Sequence, residues 1–133
     1  MSITAFENVE DFWTVDDGKI VEDIMPDDQT PIIDVEGKGL VVVAGCANSV
    51  IVNTVRHAQK ITETKRVHAV LGSFHLAKAD DDRIKATADE LTKLDLEFIV
   101  PCHCNGSKAV NQFMKVFGDH CRPLHTGGHI VKL

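Results

Sequence analysis

Tyrosine is absent from these 133 residues, and aromatic side chains make up only 5% of them. With so few rings, base-stacking surfaces and phenol chemistry are set aside. A basic face is also missing. Twenty acidic residues against 14 Lys and Arg leave a net charge of −6, and binding to a phosphate backbone needs the opposite sign. Nucleic acid is therefore not an expected partner. No apolar run approaches the ~20 residues that cross a bilayer. The opening MSITAFENVEDFW has neither the basic nor the apolar segment of a secretory leader. Both absences predict a cytoplasmic protein without a membrane partner. No repeat, low-complexity tract or linker divides the chain, so residues 1–133 read as a single domain.

What is present is the balance of a globular protein, 44% apolar and 26% charged. Four cysteines, at 46, 102, 104 and 121, in a chain without export signals read as thiols or ligands and not as a disulfide framework. The acidic clusters VDDGKIVEDIMPDDQ and ADDD at 79–82 read as solvated surface.

The patterning predicts an irregular or hairpin-like start, with DDGK at 16–19 as its turn. PIIDV and LVVVAG then form two strands around EGKG. The unbroken apolar run in the second is that of a strand covered on both faces, as in parallel sheets. Residues 49–61 suit a helix with Val52, Val55 and Ile61 inward. RVHAVLG is a strand, and a helix capped near Asp80 runs to about Leu94 with Ile84, Ala88, Leu91 and Leu94 inward. EFIVPC is a strand. The spacing predicts a helix over 107–118, with Val110, Phe113, Met114 and Phe117 inward and Gly118 as its C-cap, and HIVKL closes the chain as a strand. A hairpin followed by repeated strand–helix units gives an α/β fold with a largely parallel sheet.

Three strand-to-helix junctions carry unusual residues: GCANS at 45–49, GSFHL at 72–76 and PCHCNG at 101–106. In a parallel sheet these share the edge where ligands bind, which brings Cys46, Asn48, His75, Cys102, His103 and Cys104 together. Plainer readings exist for each. Asn48 or Ser49 suits a helix N-cap, Cys46 suits a small buried filler, and His75 suits a hydrogen-bonded loop residue. In an extended segment His103 points opposite to Cys102 and Cys104, so only one of those sets faces the pocket. Gly45 and NGSK at 105–108 could offer backbone N–H groups to an anion, although neither matches a phosphate-loop fingerprint. The histidines at 57, 68, 120, 125 and 129 read as structural or solvated, with Gly127 and Gly128 bending the chain in LHTGGH.

From PDDQTPIIDVEGKGLVVVAGC through VHAVLGSFHLAKADDDRI to EFIVPCHCNG, the chain resembles the metallo-β-lactamase superfamily. It is most similar to the branch of dihydropterin-ribofuranosylaminobenzene phosphate synthases and metal-dependent hydrolases. Members look like GC[SA]H, then GGFHL, then HCTG, and here GCAN, GSFHL and HCNG stand in their places. The family's first-half motif HxHxDH does not occur in these 133 residues. The resemblance implies the C-terminal half of an αββα sandwich, a mostly parallel sheet with helices on one side.

The resemblance also assigns residues. His103 matches a metal-ligating histidine, and Asn48 stands where a ligating histidine is expected. Cys46 lies where a bridging ligand could sit, and His75 matches a histidine near the substrate, a catalytic candidate. An amide oxygen is a poor zinc donor beside imidazole or thiolate. The reading is thus a truncated or split metal-dependent hydrolase-like protein, inactive alone, with zinc weakly held or absent. A lone half-sandwich also implies a homodimer or a complementary chain over its apolar sheet face. Two alternatives remain: a non-enzymatic dimeric binding domain, and a hydrolase with a mononuclear zinc site rebuilt from Cys46, His75 and His103.

Overall fold

The computed structural model describes residues 4–7, 12–23, 25, 28–48, 50–124, 132 and 133. The hairpin at the start is formed by β1 (Trp13–Asp16) and β2 (Lys19–Glu22), antiparallel around Asp17–Gly18. A second antiparallel pair follows, β3 (Ile32–Val35) and β4 (Gly39–Ala44). The chain then alternates through α1 (Ile51–Thr62), β5 (Val67–Gly72), α2 (Asp81–Thr92), β6 (Phe98–Pro101) and α3 (Gly106–Phe117). The main sheet has the order β3-β4-β5-β6, with β4, β5 and β6 parallel. This is the α/β architecture with a mostly parallel sheet that the strand–helix alternation predicts.

All three helices pack on one face of that sheet. Leu40, Val42 and Ala44 of β4, Val67 and Val70 of β5 and Ile99 of β6 share a core with Ile51, Val55, Ile84, Ala88, Leu91 and Phe113. Alternation sends Val41, Ala69, Phe98 and Val100 to the opposite face. The alternation slips once, because the register jumps from Leu40↔Val67 to Val41↔Ala69. His68 is the extra residue of this bulge. It is buried, and its ring meets Phe98 edge-on at 5.5 Å.

Several expectations need correcting. Ile61 is exposed on the last turn of α1, whose buried side is Ile51, Val52, Val55 and Ala58. Met114 is exposed as well. The inner stripe of α3 is Ala109, Phe113 and Phe117, one residue per turn, with Phe113 edge-on to Phe74 at 5.7 Å. α2 stops at Thr92, although Leu94 still packs on the core. Its cap is Asp80, whose carboxylate accepts from the Arg83 N–H at 2.8 Å, and Gly118 ends α3 as expected.

Of the strand expected at HIVKL, residues 129–131 lie outside the described residues, as do His125, Gly127 and Gly128, and Lys132 and Leu133 are not in a strand. The chain instead lies along β6 earlier. Ile99 bridges Cys121 in parallel, and the N–H groups of Arg122 and Leu124 donate to the carbonyls of Ile99 and Pro101.

The sheet face away from the helices is not the open apolar surface expected of a lone half-sandwich. Val41, Ala69, Phe98 and Val100 are all buried, with half-buried Val35, Val43, Leu71 and Leu124 around them and the Arg122 guanidinium 4.7 Å from the Phe98 ring centre. Ile33, paired with Val41, is exposed at the edge of this face, and the most exposed large apolar residues among those described lie on the hairpin. Trp13, Val15 and Ile20 are 67%, 70% and 76% exposed, and the pairing Val15↔Ile20 puts them on one face.

Candidate metal centre

The carboxyl ends of β4, β5 and β6 lie side by side, paired as Ala44↔Gly72 and Gly72↔Pro101. Gly72 makes this closeness possible. Its φ is +121°, and a Cβ there would fall 1.9 Å from the Ala44 carbonyl oxygen, so only hydrogen fits. Its own carbonyl accepts from the Cys102 N–H at 2.9 Å and from Asn105 Nδ2 at 3.3 Å. Buried Asn105 ties the next two loops together. It accepts from the Phe74 N–H at 2.7 Å and donates to the Cys102 carbonyl at 2.8 Å.

Three side chains converge in the space this creates. Cys46 Sγ lies 3.0 Å from Cys104 Sγ and 3.7 Å from His75 Nδ1, and Cys104 Sγ lies 4.0 Å from His75 Nδ1. All four cysteines are free thiols. Ser73, fully buried, accepts from the Cys104 N–H at 2.9 Å and touches Cys104 Sγ at 2.7 Å. The Phe12 ring, just ahead of β1, lies 5.3 Å from that of His75 and anchors the hairpin to the site. His75 takes a left-handed conformation, φ +52°, in which a non-glycine residue is strained, a common feature of functional loops.

The electrostatics favour neutral groups here. Burial lowers the pKa of His75, and the positive charges of Arg83 and Lys78 add to the effect. Burial, followed by contact with Cys104, pushes the Cys46 thiol up to about 11. Cys102 is raised by burial as well. A neutral imidazole is the form that ligates, and a thiol with a raised pKa yields its proton when a cation replaces it.

Of the residues expected at this edge, Cys46, His75 and Cys104 are in the cluster, and Asn48, Cys102 and His103 are not. His103 is exposed, at φ +49°. The segment 103–105 is a 3₁₀ turn, not extended chain, so Cys104 swings inward alone and half-buried Cys102 stays outside the group. Topology placed Cys104 at this edge but the ligand role was assigned to His103, while Ser73 and Asn105 were not singled out from the sequence.

Asn48 is not the cap of α1. Val50 holds that position, with no side-chain bond from the cap. The first-turn N–H groups of Val52 and Asn53 donate to the Glu7 carboxylate at 3.1 and 2.9 Å. The same carboxylate occupies the amides that the Gly45 junction was expected to offer an anion.

No family model matches the chain. Over 115 residues, 86% of its length, it is 38% identical to 7,8-dihydropterin-6-methyl-4-(β-D-ribofuranosyl)-aminobenzene-5′-phosphate synthase of Methanocaldococcus jannaschii. Over 108 residues it is 34% identical to an uncharacterised protein of the same organism. The chain spans 39% of the length of each of these relatives. It is also similar to the crystal structure of Tm1679, a metal-dependent hydrolase of the β-lactamase superfamily. That match has a TM-score of 0.79 at 31% identity and covers 86% of this chain and 44% of that one. The chain belongs to the metallo-β-lactamase superfamily.

The structural relative is metal-dependent, and the donors at this edge fit such an ion. Cys46, His75 and Cys104 present ligand atoms that all lie within 4.8 Å of one another. A tetrahedral zinc ion with bonds of about 2.0–2.3 Å holds its donors about 3.5–3.8 Å apart. The two sulfur–nitrogen separations are close to that spacing already, and the sulfurs need only part slightly. Two thiols and an imidazole are the soft donor set that zinc selects. The residues therefore fit one ion. Among the described residues no second group of three such donors forms, so they do not fit a pair.

Proposed function

We propose that these residues form the C-terminal half of a metal-dependent hydrolase fold and hold a single soft cation, zinc foremost, through Cys46, Cys104 and His75. One observation carries the reading: three donors from three separate loops meet within 4.8 Å. His75, expected beside the substrate, serves on this reading as a ligand. Asn48 and His103 remain at the same edge, where donors from outside these residues would complete a second site. Lacking HxHxDH, the chain alone is silent in binuclear hydrolysis. When bound, the ion supplies Lewis-acid polarisation of a substrate oxygen. The chain's own work is to hold the ligands, with Ser73 bonded to Cys104 and Phe12 against His75.

Cobalt(II) replacing zinc tests this. Thiolate-to-cobalt absorption is expected on loading, lost in Cys104→Ser and retained in His103→Ala. Absorption that survives Cys104→Ser, or that vanishes in His103→Ala, overturns the assignment.

The reading includes a partner, a second copy or a complementary chain. Trp13, Val15 and Ile20 support it, because exposed apolar residues grouped on one face mark contact surfaces. Sedimentation is expected to show association that weakens in Trp13→Ser. A monomer at every concentration contradicts it.

A further inference from the structure

The sulfurs of Cys46 and Cys104 stand 3.0 Å apart, about 1 Å beyond a covalent disulfide. They come from different loops, 58 positions apart in sequence, so neither a shared turn nor a short chain forces them together. Both side chains are half-buried, which leaves them reachable by a small oxidant. We propose that Cys46 and Cys104 form a reversible dithiol–disulfide pair, a modification site for hydroperoxides. Its consequence for the ion rests on the metal-binding reading above, whereas the bond itself does not.

The chemistry balances in two steps. One cysteine sulfur attacks the hydroperoxide oxygen, breaking the O–O bond; the sulfur becomes a sulfenic acid and the leaving oxygen departs as water or alcohol. The second sulfur then attacks the first, the S–S bond forms, and the sulfenic oxygen leaves as water with the second thiol's proton. Two thiols have lost two electrons, and the peroxide has gained them. The sulfur that attacks the peroxide is that of Cys104, and its partner Cys46 is already in contact, so bridging outruns further oxidation. The bridge removes both sulfur donors at once and leaves His75 as the sole ligand of the three. The pair would thus couple ion retention to peroxide exposure.

Cys102, two residues from Cys104, competes for the same chemistry and makes the test discriminating. Chelator-treated, reduced protein is exposed to hydrogen peroxide, alkylated and digested without reductant. The expected product is a Cys46–Cys104 bridge, with Cys102 and Cys121 alkylated, and dithiothreitol reverses it. In Cys46→Ser the same treatment should carry Cys104 on to the sulfinic acid. A bridge containing Cys102, or sulfinic acid at Cys104 in the unaltered chain, overturns the proposal. With zinc-loaded protein, zinc should appear in solution in step with the bridge. If the bridge forms but zinc never binds beforehand, the ion reading fails and the oxidation pair stands.

Discussion

Gly72→Ala is expected to cost more than about 3 kcal/mol and to leave little folded protein. The added methyl would meet the Ala44 carbonyl oxygen at 1.9 Å and its carbon at 2.9 Å, both backbone atoms of the neighbouring strand. Neither can move without separating β4 from β5, which pair at this point. The left-handed φ of +121° adds strain of its own to any side chain. The damage would also spread to the site. The Gly72 carbonyl holds the Cys102 N–H and Asn105, and Asn105 in turn holds the Phe74 N–H, so the loops bearing His75 and Cys104 hang from this residue. Urea unfolding followed by circular dichroism measures the loss. A midpoint equal to that of the unaltered chain would show that the strands are not this close.

Glu7→Ala is expected to destabilise by about 2–6 kcal/mol, because it strands two buried amide donors at about 1–3 kcal/mol each. The carboxylate is 1% exposed and caps α1 from 45 residues away through Val52 and Asn53, and Thr4 Oγ1 also lies 3.2 Å from it. Asn48→Ala, which removes the residue expected to cap this helix, should change stability by less than about 0.5 kcal/mol. Reversed magnitudes would restore Asn48 as the cap. The carboxyl also gives a pH signature. Burial pushes Glu7 above its ordinary 4.5, against the opposing pull of the two amides. A group raised in the folded state contributes stability that is complete below 4.5 and is lost as pH rises through the folded value. The unaltered chain should therefore weaken relative to Glu7→Gln as pH climbs above 4.5.

The capping error shows where sequence reasoning loses information. Periodicity located β4, β5, β6 and all three helices because each buries a continuous apolar stripe, and such a stripe is local. Asp80 was legible as a cap because its bond reaches only three residues along the chain. Glu7 was not, since nothing near it in sequence marks a partner at Val52. The faces of α1 and α3 drifted as well: Ile61 and Met114 fit the helical period, yet both are exposed, and the buried sides are carried by Ile51, Val52, Val55 and Ala58 and by Ala109 and Phe113. At the site, the three junctions were legible from topology, which put Cys46, His75 and Cys104 on one edge. The choice between His103 and Cys104 was not, because strand alternation does not hold in a 3₁₀ turn. Ser73 and Asn105 act by hydrogen bonds across loops, and a linear pattern carries no trace of those.

Metal content per chain tests the central claim most directly. Elemental analysis of protein equilibrated with zinc and freed of excess should find one zinc per chain. It should find none above background after Cys46→Ser and Cys104→Ser together, with the circular dichroism spectrum unchanged. Two zinc ions per isolated chain, or one that survives loss of both thiols, would contradict a single ion held between Cys46, Cys104 and His75.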